Sequence, residues 1–337
     1  MSDTTSVIRS ARFRQEREAD WARLDRIVDQ TERGGVQSLN FEDARDLAQL
    51  YRQSVTSLSV AREISLDRSL QDYLEALCCR AYLAVYSPQE SVRGTFTRFL
   101  TQSGPAAMRR SGAAILLAFI SLMIGAVVGY LLFVDDPLWY NTFVPGSLQG
   151  GRGISSSREE LLDVIYGSGD EELGSLGAFA SYLFSHNTRI ALFAFALGIA
   201  VCVPSFLLSA YQGLILGAFF ALHVDRGIGM DLFGWLSIHG VTELSAIVIA
   251  TAGGFRLGLA VLFPGQLTRR AALRQEGRDA AKLAVMAALM LIAAAFLEGF
   301  GRQLIVDRNT RIVIGWGIGL LWLVYFLRAG RNTVPHR

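Results

Sequence analysis

Three ionisable residues stand inside one apolar stretch, Ser237 to Pro264: His239, Glu243 and Arg256. The stretch is long enough to cross a bilayer as one helix. Charge at membrane depth is costly, so such side chains face a protein interior or a water-filled cavity. His239 and Glu243 are four residues apart and share a helix face. At that spacing an imidazole and a carboxylate can share a hydrogen bond that locks helices, pass protons, or contribute to a divalent-metal site. Arg256 lies about 20 Å further along the axis. Its partner is therefore expected elsewhere, at a carbonyl or a headgroup near the inner face. Glu298, in the next apolar segment, is expected at the depth of His239 and Glu243 and could complete their cluster. His239, Glu243, Glu298 and Arg256 form the candidate intramembrane polar site. The chain shows no HExxH, P-loop, nucleophile elbow or dinucleotide fingerprint. No catalytic residue is assigned, and no cofactor is expected beyond the option of a divalent metal at His239, Glu243 and Glu298.

Composition limits the class. The chain has 337 residues, 51% of them hydrophobic, and mean hydropathy is +0.34. That is too apolar for an ordinary soluble protein and implies several membrane spans. The net charge of +2 gives no bulk field that would draw in nucleic acid. Cys78 and Cys79 are neighbours and Cys202 lies in an apolar segment, so no disulfide is expected.

The elements that position these residues follow from periodicity. Residues 1–110 are polar and read as a cytoplasmic helical domain. Its apolar stripes are Phe13, Trp21, Leu24 and Val28; Leu47, Leu50, Val55 and Leu58; and Leu70, Leu74, Leu77, Ala81 and Val85. Asn40 has the character of an N-cap, and Ser87 to Glu90 that of a capping box opening a juxtamembrane amphipathic helix. Residues 111–330 read as a transmembrane domain. Spans are expected near 112–134, 189–209, 211–224 (short or re-entrant), 237–263, 282–300 and 311–328. The fold class is all-α, a polytopic helical membrane protein of about six spans. Residues 135–187 carry two arginines and eight acids, whereas 266–282 carry four arginines, one lysine and two acids. The positive-inside rule makes the first loop external, the second cytoplasmic, and both termini cytoplasmic. Small-residue stripes recur at Ser121, Gly125 and Gly129; at Ala194 and Gly198; at Ala246, Ala250, Gly254 and Gly258; and at Gly315 and Gly319. They suit close helix contacts. Because one bundle does not obviously need so many, a homo-oligomer, preferably a dimer, is expected.

The chain resembles the stage II sporulation protein M (SpoIIM-like) family of bacterial membrane proteins. The residues carrying the resemblance are His239-Gly240 with Glu243-Leu244, Ala252-Gly253-Gly254, Pro264-Gly265, Arg269-Arg270 and Leu297-Glu298-Gly299-Phe300. Upstream, His186-Asn187-Thr188-Arg189 and Ala196-Leu197-Gly198 fit, and Gln212-Gly213 stands where Asn-Gly is usual. Asn187 and Gln212 join the site as accessory candidates. The resemblance implies the longer form, with a cytoplasmic helical domain before the spans, in the bacterial inner membrane. That form is often encoded near RDD-type membrane proteins and MoxR-type ATPases, which become partner candidates. The expected function is a multispan component of an envelope membrane complex with a transport or channel-like polar pathway. An intramembrane metal-dependent hydrolase and a purely structural scaffold are the alternatives.

Overall fold

The computed structural model describes residues 2–63, 68–86, 92–167, 173–301 and 304–331. Every regular element among them is helical. The chain divides into two compact units, one ending at Arg98 and the other beginning at Phe99. Residues 99–110 therefore belong with the spans rather than with the polar domain.

The first unit holds α1 (Ser2–Gly34), α2 (Phe41–Glu63), α3 (Arg68–Tyr86) and the short α4 (Val92–Arg98). The apolar stripes of the first three close on one another. Trp21, Leu24 and Val28 are buried against Leu47 and Leu50 and against Leu74, Leu77 and Ala81. Asn40 caps α2, its Oδ1 accepting from the Asp43 amide at 2.8 Å. Arg80 on α3 reaches across to Asp25, Asp29 and Glu32 on α1. The expected capping box at Ser87 to Glu90 lies outside the described residues.

The second unit opens with a π-turn, Phe99–Ser103, and continues into α5 (Gly104–Arg110) and α6 (Gly112–Asp135). Three short helices follow: α7 (Trp139–Phe143), α8 (Gly146–Gln149) and α9 (Arg158–Tyr166). Then come α10 (Leu173–Ala196), α11 (Val203–Asp225), α12 (Gly229–Leu262), α13 (Arg269–Phe296) with a π-turn at Leu297–Gly301, and α14 (Arg308–Arg328). Helices α6, α11, α12, α13 and α14 are long and apolar enough to cross a membrane. α10 runs beside them but is not among those five.

Glycine contacts fix the helix directions. A Cβ on Gly125 would fall on the Ala210 carbonyl, and one on Gly129 on that of Leu214, so α6 and α11 run the same way. Gly315 meets Ser237 and Gly319 meets Val241, so α14 runs parallel to α12. Gly254 meets Ala194 and Gly258 meets Gly198, so α10 also runs parallel to α12. Gly253 lies near Ala280 and Gly277 near Leu257, so α13 runs the opposite way. The helices thus alternate in direction. At one end Arg109 donates to the carbonyls of Phe326 and Ala329, at 2.7 and 2.8 Å, and Tyr325 donates to that of Leu100. At the opposite end Tyr166 donates to Asp231 at 2.7 Å.

Two expectations change. The chain reverses at 197–202, not at 211–213. A 3₁₀ turn at Leu197–Ile199 is followed by Val201 and Cys202 with φ of 53° and 69°. Left-handed backbone at a β-branched valine is strained. It is held by the Cys202 amide on the Gly198 carbonyl and by Gly258, whose missing side chain leaves room for Cys202 Sγ. Pro204 then starts α11, where its absent N–H costs nothing. The expected span 189–209 is therefore divided, and the segment 211–224 is the continuation of a helix of 23 residues. Gly213 interrupts no helix; it admits the backbone of α6.

The second change concerns the stripes. Gly125 and Gly129 contact α11, Gly254 and Gly258 take up α10 and its turn, and Gly315 and Gly319 contact α12. These stripes are filled within one chain, so they give no argument for a second copy.

Two predictions follow from this packing. Gly315→Ala places a Cβ 1.8 Å from the Ser237 carbonyl, whereas Gly317→Ala meets nothing within 4 Å. Thermal unfolding in detergent should show Gly315→Ala losing about 2 kcal/mol or more, with Gly317→Ala close to wild type. In the first unit Cys78 is buried and Cys79 exposed. Burial pushes the Cys78 thiol up to about 11, leaving little of the reactive thiolate at pH 8. Iodoacetamide at that pH should label Cys79 in the folded protein and reach Cys78 only after denaturation, as read by peptide mass spectrometry.

Candidate functional site

Helix α12 is the axis of the site because α6, α10, α11, α13 and α14 all pack on it. It presents His239 and Glu243 one turn apart. α10 contributes Asn187, and the π-turn after α13 contributes Glu298. That turn reads Leu297-Glu298-Gly299-Phe300-Gly301 and touches both α10 and α12. Widened turns of this kind often re-aim one side chain at a functional site.

Glu243 accepts a short hydrogen bond from Asn187 Nδ2. Glu298, 4% exposed, lies within electrostatic reach of Glu243. Glu243 sits deep in the bundle, yet part of its surface is not covered by protein. His239 is 3% exposed, and its ring stands edge-on to Trp235 at 5.4 Å. The structure therefore brings Asn187, Glu243 and Glu298 together, with His239 one turn along. The donor that reaches Glu243 from α10 is Asn187. Thr188 Oγ1, the next residue on α10, is buried without a hydrogen-bond partner. Among the described residues no three His, Cys, Asp or Glu side chains form a group able to hold a metal.

Arg256 and Gln212 lie apart from this cluster. Arg256 is at the end of the bundle where α6 begins. It donates to the Arg110 carbonyl at 3.2 Å, to Ser111 Oγ at 3.0 Å and to Glu276 at 2.5 Å. Arg110 holds Asp279 through two bonds of 2.8 and 2.7 Å, and Lys282 reaches the same carboxylate at 3.1 Å. This charge cluster joins α5, α12 and α13. The carbonyl partner was legible from position; the carboxylates on α13 were not, since they lie in the basic loop segment. Gln212 is half-buried on α11 and bonds to none of the site residues.

Sequence reasoning missed a second polar layer at the opposite end. There the acidic loop folds into a cap over α11 and α12. Tyr140 is fully buried, and its hydroxyl donates to the Arg152 carbonyl. The Arg152 guanidinium is buried over the rings of Phe219 and Trp235, at 4.8 and 5.2 Å. Arg308 pairs with Asp231, while Arg311 is buried over Tyr166 and donates to the Ile305 carbonyl. The only early signal was an isolated arginine in an acidic loop.

The family comparison matches residues 113–301 to stage II sporulation protein M, more than half of the chain. The chain belongs to the stage II sporulation protein M family. The SpoIIM match begins at the start of α6 and ends at the π-turn. It includes Asn187, Glu243, Glu298 and, of the Arg256 cluster, Arg256, Glu276, Asp279 and Lys282, and it stops before α14. Residues 11–87 match a domain of unknown function (DUF8413), from within α1 to the end of α3. The SpoIIM region preceded by a helical domain is the longer form. No curated protein and no solved structure shows significant similarity to the chain.

The geometry separates the two accessory candidates. Asn187→Ala removes the donor to Glu243 and should destabilise the protein by about 1–3 kcal/mol. Gln212→Ala should be nearly silent. Thermal unfolding of both variants in the same detergent checks the contrast.

Proposed function

We propose that this protein is a multispan component of a bacterial envelope complex in which Glu243 and Glu298 pass protons or monovalent cations along a polar pathway. The observation that carries the reading is the meeting of two carboxyl side chains with Asn187 inside apolar helices. Isolated acids at that depth are expensive, and paired ones mark ion or proton relays. Two carboxyl groups in electrostatic reach can hold one proton or cation between them and hand it on. Asn187 orients Glu243, and the widened turn lets Glu298 approach it.

On this reading the membrane is the bacterial inner membrane. The end holding Arg109, Arg110 and the basic 266–282 loop is cytoplasmic by the positive-inside rule. Arg311 does not oppose this assignment, because it is buried among carbonyls and a tyrosine ring. The first unit would serve as the docking platform for a partner, with RDD-type membrane proteins and MoxR-type ATPases as the candidates the family resemblance supplies.

A scaffold is the second reading. It is favoured by the Asn187–Glu243 bond, which ties α10 to α12 and would stabilise the bundle without any transport. Reconstitution separates the two. Proteoliposomes with a trapped pH indicator should acidify after an imposed gradient, and Glu243→Gln or Glu298→Gln should slow this at least tenfold while remaining folded. Equal rates in the wild type, both variants and empty vesicles would favour the scaffold.

A further inference from the structure

A cleft of about 470 Å³ opens at the Arg110 end of the second unit, away from Glu243. Its walls come from the start of α6, the end of α12 and the first turns of α13. Arg110, Arg256 and Glu276 line its polar side; Ala113, Leu259, Phe263 and Leu267 line its apolar side. Leu259, Phe263 and Leu267 are 39%, 74% and 45% exposed. We infer that this cleft binds an anionic phospholipid, its phosphodiester at Arg110 and Arg256 and one acyl chain along the apolar wall.

Three observations support the assignment. The cleft lies where α6 begins, α12 ends and the basic loop follows, the level of lipid headgroups in a six-helix arrangement. Its charges do not cancel: Arg110, Arg256 and Lys282 face the carboxylates of Glu276 and Asp279. One net positive charge remains, matching a single phosphodiester. Finally, more than half of the Arg110 side chain is exposed, and its bonds to Asp279 use only Nε and Nη2. Arg110 thus retains a donor for phosphate oxygens, which a guanidinium binds with favourable geometry, and Arg256 adds its charge to the same rim. A zwitterionic headgroup would bring its own cation to this positive rim.

The test uses purified full-length protein in detergent. Phosphatidylglycerol, phosphatidylcholine or inorganic phosphate is added, and bound lipid is counted by native mass spectrometry. Phosphatidylglycerol should be retained at least fivefold over phosphatidylcholine. Ala113→Trp fills the apolar wall without touching the ion pairs and should bring that ratio below two. Leu267→Glu, at an exposed rim position, should do the same by repulsion and serves if the tryptophan variant does not fold. Equal retention of the two lipids in the wild type overturns the proposal. So does an unchanged preference in a folded variant, or displacement of phosphatidylglycerol by millimolar inorganic phosphate, which would mark a site for a free anion.

Discussion

The close approach of α10 to α12 at Gly198 and Gly254 sets the geometry of the site. A side chain at either position would collide with backbone of the other helix. The two helices run in the same direction, and each site residue lies eleven positions before its contact glycine. At 1.5 Å per residue both are about 16 Å up the axis, so Asn187 arrives level with Glu243. Contact between small residues replaces the hydrophobic drive that is absent between helices in lipid. A carboxylate that would otherwise be costly at that depth receives a donor, with a second carboxyl close by.

The same economy governs the two ends of the bundle. At one end Arg256 joins three helices through a carbonyl, a hydroxyl and carboxylates on α13. At the other, Arg152 and Arg311 are buried over aromatic rings, and Arg311 also donates to a carbonyl. Guanidinium suits both settings because it stacks and donates in a plane. Charge is thus gathered at the ends and in one mid-bundle cluster, leaving the faces of α6 and α14 apolar. Leu116, Val127, Leu131, Trp316 and Leu321 stay exposed there, as a lipid-facing surface requires.

Much of this was legible in the sequence because membrane physics is strict. The apolar runs marked α6, α12, α13 and α14, and the costly residues marked the centre of α12. Asn187 entered through family resemblance, since a neutral amide gives no cost signal. The reversal at 197–202 was not legible. It uses Val201 and Cys202 in left-handed backbone, where glycine would be the usual sign, while Pro204 and Gly213 mimic a break further on. Single stripes of small residues cannot say whether their partner belongs to the same chain. The cap at the Arg152 end was hidden because its buried polar residues sit in a loop whose composition reads as solvent-exposed.

The most direct test of the account is the proximity of α10, α12 and the π-turn in native membranes. In a background without the three native cysteines, Asn187→Cys can be combined with Glu243→Cys, and Glu298→Cys with Glu243→Cys. A short bifunctional maleimide should link both pairs within one chain, while Gln212→Cys with Glu243→Cys should stay unlinked. Failure of the Asn187 and Glu298 pairs to link, with each single cysteine reactive, would contradict the arrangement on which the proposed pathway rests.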